Sequence, residues 1–154
     1  MNKTRALAVF ASLAILVLAI SQASSYLVSA KLAVQETYVV NSFIYFTHVR
    51  NLGGTFGLFQ GSGWLIAIFS AAILLGITLY LILSKNTRFY EFVCFGIIVG
   101  AGASNVLDRI IYGGVVDFID IQHIPYWHYI FNTADVMIHV GIWPLLICSF
   151  LQKA

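Results

Sequence analysis

Charge is what this sequence has least of. Lys, Arg, Asp and Glu make up 9% of its 154 residues and apolar residues 60%, where a soluble domain carries about a quarter charged. Such a chain cannot offer water a polar surface. That excludes a soluble globular protein and leaves an integral membrane protein of one domain, residues 1–154. A net charge of +2 is too weak to hold nucleic acid. Cysteine is scarce as well: Cys94 and Cys148 both lie in apolar runs, without metal-ligand spacing or a disulfide context, and read as inert buried thiols. H-E-x-x-H is absent and His48, His123 and His128 are scattered, so neither a metal centre nor a cofactor is expected. Internal repeats and low-complexity tracts are missing too.

What the chain does have is long apolar runs. Four of them, at about residues 6–28, 64–83, 89–109 and 132–151, approach the ~20 residues that carry a helix across a bilayer. Lys3 and Arg5 ahead of the first run, and "AISQASS" near its end, also suit a signal peptide. The return of apolar character at "YLV" favours a retained helix. With four spans, Lys3, Arg5, Lys85, Arg88 and Lys153 share one side, against Lys31, Arg50 and Arg109 on the other. The basic excess places both termini in the cytoplasm. Between the first two runs, residues 34–60 are rich in Val, Tyr, Phe, Thr and Ile and end in glycines, which is strand chemistry. Strand edges cannot lie in lipid, so a small β-cradle is expected at the outer interface. The expected fold class is thus an all-α membrane protein, four transmembrane helices with a small extracytoplasmic β-cradle. In the third run, Gly96, Gly100, Ala101, Gly102 and Ala103 allow close helix packing.

The polar residues near the outer face fall in stripes. Asn105, Asp108 and Arg109 are spaced i, i+3, i+4, and Asn132, Asp135 and His139 are spaced i, i+3, i+7. Polar groups in a span point to the bundle interior, so the two stripes are expected to face each other. The segment after Arg109 leaves and returns on the same side, so Asp117 and Asp135 can meet at the outer ends of the third and fourth helices. Two adjacent carboxylates share one proton near neutral pH. One then serves as base on a water and the other as acid on a carbonyl. Spacing alone equally allows these residues to be loop carboxylates or helix caps.

The motifs "NLGGTF", "GASNVLDR", "GGVVDF" and "FNTAD", in this order on four spans, closely resemble the bacterial lipoprotein signal peptidase family (signal peptidase II). The likeness covers nearly the whole chain. It implies an intramembrane aspartic endopeptidase of the inner membrane, with its active site at the outer face. Such enzymes cut prolipoproteins just before a diacylglyceryl-modified cysteine. The resemblance implies Asp117 and Asp135 as catalytic residues. It implies Asn51, Gly53, Phe56, Asn105, Asp108, Arg109, Asn132 and Ala134 as bracing or substrate-binding residues. Lipid-modified prolipoproteins and membrane lipid are then the partners, with no nucleic acid, and a monomer is expected. The chain departs from the family pattern in the first span, where an Asp–Gln pair and a Lys are usual and "SQASS" stands instead. Both charged members are missing together, which avoids a lone buried charge. This leaves open a non-catalytic paralogue that binds lipidated peptides. A serine peptidase using Ser104 and His139 lacks the GxSG motif and six spans that such enzymes need.

Overall fold

The computed structural model describes residues 2–54 and 59–151. Each apolar run closes into a helix, because backbone in lipid must satisfy its own polar groups. The helices are α1 (Lys3–Lys31), α2 (Gly63–Leu83), α3 (Phe89–Tyr112) and α4 (Thr133–Leu151). All four are long and apolar enough to cross a membrane, and Ile15, Phe69, Ile73, Trp143 and Phe150 lie exposed on their outer faces. Apolar surface on that scale is stable only against lipid. α1 runs past both expected ends. Its serines do not interrupt it: Ser24 Oγ donates to the Ser21 carbonyl (2.7 Å) and shares a hydrogen bond with Thr133 Oγ1 on α4 (2.9 Å).

α3 is the hub on which α1, α2 and α4 pack. Its small residues decide this. A Cβ on Gly96 would sit 2.8 Å from the Phe10 carbonyl oxygen of α1, and one on Gly100 would collide with the Ala14 carbonyl oxygen. Helix backbones therefore touch where lipid offers no hydrophobic drive for association. α3 ends at Gly113, whose φ of 75° is the left-handed turn that glycine adopts without penalty. At the opposite end Lys3 donates to the carbonyls of Ile82 (2.7 Å) and Ser84 (2.6 Å), holding the start of α1 to the end of α2.

Over the other end lies a four-stranded antiparallel sheet in the order β1 (Thr37–Val39), β2 (Ile44–Asn51), β3 (Val115–Ile121) and β4 (Ile130–Phe131). Helices and sheet together bear out the expected fold class. The sheet departs from the expected cradle at residues 34–60 in one respect. Half of its strands come from the α3–α4 connection, where β-branched Val115, Val116, Ile119 and Ile121 pair with β2. β2 also carries one extra residue between Phe46 and Val49. That bulge turns His48 inward, where it is 1% exposed and its Nδ1 donates to the Leu32 carbonyl (2.8 Å). It also shifts the parity of everything after it. Val49 then pairs with Asp117 and Asn51 with Val115, so Asn51 rather than Arg50 shares the face of Asp117.

The packing is testable with two glycines. Gly100→Ala should lower stability in micelles by about 1–3 kcal/mol, the cost of overpacking a tight contact. Gly76→Ala on α2, where a Cβ meets nothing within 4 Å, should be neutral or slightly stabilising. Thermal unfolding of both variants measures the contrast.

Candidate active site

"FNTAD" folds as a reciprocal helix cap. Asn132 Oδ1 accepts from the Asp135 N–H (2.9 Å), and Asp135 Oδ2 accepts from the Asn132 N–H (3.2 Å). This is the capping-box exchange, which satisfies free donors at a helix start. The cap does not exhaust either residue. Asn132 Nδ2 donates to Asp117 Oδ1 on β3 (2.7 Å) and to Asn105 Oδ1 on α3 (3.2 Å). Asn105 Nδ2 in turn donates to Asp135 Oδ1 (3.0 Å). Asp117 Oδ2 accepts from Asn51 Nδ2 (3.0 Å). The two carboxylates therefore stand on either side of one asparagine, which is 2% exposed.

The outer rim comes from the glycine segment after β2. Asn51 Oδ1 accepts from the Gly53 N–H (3.0 Å), closing an Asx turn. Arg109 Nη2 donates to the Gly53 carbonyl (2.9 Å), and its Nη1 to the Asn105 carbonyl (2.9 Å). Asn51, Gly53, Asn105, Arg109, Asp117, Asn132 and Asp135 thus form one connected set. Ala134 is buried against Val17 and Ala101, where α1, α3 and α4 meet. Phe56 lies outside the described residues.

Asp117 and Asp135 come together near the ends of α3 and α4, bridged by Asn132 and Asn105. Asp117 arrives there from the middle of β3, because Val115–Ile121 pairs with β2. One sequence expectation needs correction: Asp108 does not face the fourth helix with Asn105. It is 1% exposed and points toward α1, where Oδ1 accepts from Gln22 Nε2 (2.7 Å) and Oδ2 from Ser25 Oγ (3.0 Å). Its Oδ2 also accepts from the Val116 N–H (3.0 Å), so this carboxylate pins the strand residue next to Asp117. Of the α1 donors, Gln22 keeps the usual glutamine of the first span, while Ser25, with Ser21, stands where the family pattern has a charge. The signal that marks them is a buried acid on α3 that needs donors, and a polar run on α1 that could supply them. Ser104 Oγ accepts from Gln22 (3.0 Å), and His139 Nδ1 donates to the Asp135 carbonyl (2.8 Å) at an exposed position instead of an interior one. Ser104 and His139 are each bonded elsewhere, which removes the basis for a serine peptidase.

Burial pushes the Asp117 carboxyl from the ordinary 3.8 up to about 7, and the negative charge of Asp135 acts in the same direction. The amides of Asn51 and Asn132 and the Arg109 charge oppose it. A carboxyl that titrates near neutrality can give a proton at the pH where its neighbour takes one.

Two hollows reach the connected set, one at Arg109 and one at Asp117. One, of about 640 Å³ between α2 and α3, has Leu52, Trp64, Ile68, Val106 and Ile110 along it, and Arg109 is the charged side chain that reaches it. The second, of about 630 Å³, lies among the strands and is lined by Asp117, Asn51 and the aromatic residues that precede β4. Among the described residues no cluster of His, Cys, Asp or Glu could hold a metal ion.

Comparison with known proteins gives one answer. The sequence profile of Signal peptidase (SPase) II, peptidase family A8, matches residues 13–151. A lipoprotein signal peptidase of Fusobacterium nucleatum is 35% identical over 137 residues, covering 87% of this chain and 81% of that protein. One from Caulobacter vibrioides is 40% identical over 114 residues, covering 71% and 66%. A solved bacterial membrane enzyme, determined by the in meso method at 2.3 Å, superposes with a TM-score of 0.80 at 26% identity, over 92% of this chain and 86% of that one.

The Asp108 contacts yield an expected outcome. A hydrogen bond to a charged group is worth about 1.5–3 kcal/mol. Gln22→Ala and Ser25→Ala should each destabilise the protein by that order. Gln22→Ala should cost more, since Val116 still serves Oδ2 when Ser25 is removed. Thermal unfolding in micelles gives the ranking.

Proposed function

This chain belongs to the signal peptidase II family of aspartic peptidases, and on that premise we propose that Asp117 and Asp135 are its catalytic pair. Its substrates on this reading are prolipoproteins, cut on the amino side of a diacylglyceryl-modified cysteine. The observation that carries the reading is the Asn132 bridge, whose side-chain amide binds the strand carboxylate of Asp117 and whose backbone N–H binds the helix carboxylate of Asp135.

Asp117, which titrates near 7, holds the shared proton and gives it to the scissile carbonyl oxygen. Asp135 takes a proton from the attacking water, whose oxygen bonds to the carbonyl carbon. The tetrahedral diol then collapses: the C–N bond breaks, a proton passes to the leaving nitrogen, and the carbonyl re-forms as a carboxyl group. The products are a signal peptide with a free carboxylate and a lipidated cysteine with a free amine. No metal is required. Asn51, Asn105 and Asn132 fix the two carboxylates, and Arg109 steadies the Gly53 segment beside them. The apolar hollow between α2 and α3 suits the acyl chains, which reach it from the bilayer without crossing water.

The membrane setting follows the same reading. The protein is multi-pass. Lys3, Arg5, Lys85 and Arg88 cluster at the end away from the sheet, which supports cytoplasmic termini and a site at the outer face of the inner membrane. The monomer expectation stands as part of the proposal. The alternative of a non-catalytic paralogue rested on the missing charges of α1. Gln22, Ser25 and Val116 supply Asp108 with donors, which leaves that reading without a structural motive.

Asp117→Asn and Asp135→Asn should each cut kcat on a diacylglyceryl prolipopeptide by about 10²–10⁴-fold while binding of the peptide persists. Wild-type binding without cleavage would return the paralogue reading.

The pH dependence has a definite sign. Folding raises the Asp117 carboxyl, so between 3.8 and about 7 the folded chain holds a proton that the unfolded one releases. The associated stability is complete below 3.8 and fades as pH climbs through 7. Asp117→Asn should flatten that slope in thermal unfolding across the range. Wild-type kcat should fall about tenfold per unit above pH 7 as the proton is lost.

A further inference from the structure

The hollow among the strands has no assigned role, although it touches Asp117. We propose that it is the exit subsite for the mature polypeptide, taking the first residues after the lipid-modified cysteine in extended form. This rests on the reading of the chain as a peptidase for lipidated precursors.

The chemistry of the substrate requires two routes away from the cut. A diacylglyceryl cysteine is a branch point: its side chain carries acyl chains and its carbonyl continues into a water-soluble polypeptide. One branch belongs in hydrocarbon and the other does not. Two hollows of nearly equal size lie beside the site, one along the apolar walls of α2 and α3 that reaches Arg109 and one on the sheet side that reaches Asp117. Each lies within the about 300–1,000 Å³ typical of sites that enclose a ligand. The sheet-side hollow offers what a polypeptide uses. Asn51 and His128 supply polar groups, and Tyr126, Trp127 and Tyr129 supply aromatic faces. β4 is the last strand of the sheet and its Ile130 lines the same hollow. An edge strand can pair with an extended chain, which gives affinity without demanding a particular side chain.

The loop over this hollow is held in an unusual form. Tyr126 has a φ of 65° and is 97% exposed. A bulky residue in that region is strained, and such strain collects at ligand clamps. Trp127 beside it is fixed, with Nε1 donating to the Tyr129 carbonyl (2.9 Å) and its ring edge-on to Tyr129 at 6.1 Å. The Trp127 ring is anchored and the Tyr126 ring stands exposed beside it at the hollow. The rival role for these rings is an anchor in lipid headgroups, and the test separates the two.

The experiment uses the purified full chain in detergent micelles with two lipidated prolipopeptides identical through the cysteine. One stops there as an amide and the other continues for about four residues, enough to pass along a short edge strand. In wild type the longer peptide should show a KM about 3- to 10-fold lower, the worth of one or two aromatic contacts. Tyr126→Ala and Trp127→Ala should bring the ratio of kcat/KM for the two peptides toward one, and Trp127→Phe should restore it. Tyr126 is almost wholly exposed, so its variant carries the test if Trp127→Ala does not fold. Equal wild-type KM for both peptides overturns the exit subsite. So does an equal loss on both peptides in the Tyr126 variant, which is the result expected of a headgroup anchor. Failure of wild type to cut either peptide defeats the peptidase reading itself, a different result.

Discussion

The site depends on one residue holding two carboxylates that would otherwise repel, Asp117 through its side-chain amide and Asp135 through its backbone N–H. Asn132 has two amide hydrogens and one carbonyl oxygen to use, and all are committed: to Asp117, to Asn105 and to the Asp135 backbone. Any slip of α4 against β3 breaks the pair apart. Both donors, the side-chain amide to Asp117 and the backbone N–H to Asp135, are neutral, so they orient the two acids without fixing a proton on either. A lysine or arginine in its place would hold both as carboxylates and leave no acid for the reaction.

Asp108 works on the other side of the same strand. Buried and 1% exposed, it reaches Gln22 and Ser25 on α1 and the Val116 N–H on β3. Through these bonds the helix bundle sets the depth of the strand, and hence of Asp117. Membrane helices lack a hydrophobic drive to associate, so the alignment comes from backbone contact at Gly96 and Gly100 and from this polar lock. Tight packing in the bundle and the placement of the carboxyl pair are therefore one problem, not two.

The legible part of this protein was the part governed by solvent. Long apolar runs in a chain so poor in charge must be spans, and the β-branched tract between the first two must lie outside the hydrocarbon. Acids kept in such surroundings need a reason, and on that ground Asp117 and Asp135 stand out in the sequence alone. The lock on Asp108 was not legible in the same way. Gln22 and Ser25 stand more than eighty residues away from it, and no local spacing ties a polar pair on one helix to an acid on another. The strand character of Val115–Ile121 was likewise hidden, since an apolar stretch between helices reads equally well as a loop at an interface.

By itself the sequence determined that this chain crosses a bilayer four times and bears a small sheet at one end, because partition between water and lipid depends on composition over a run of residues. Only the tertiary structure decided which side chains meet. A single extra residue in β2 turns Asn51 toward Asp117 and Arg50 toward Ser29 and Tyr112. Strand faces alternate with a period of two, so one inserted residue puts an amide where a cation would otherwise stand beside a carboxylate. Pairing register is a property of two strands together, and neither strand carries it alone.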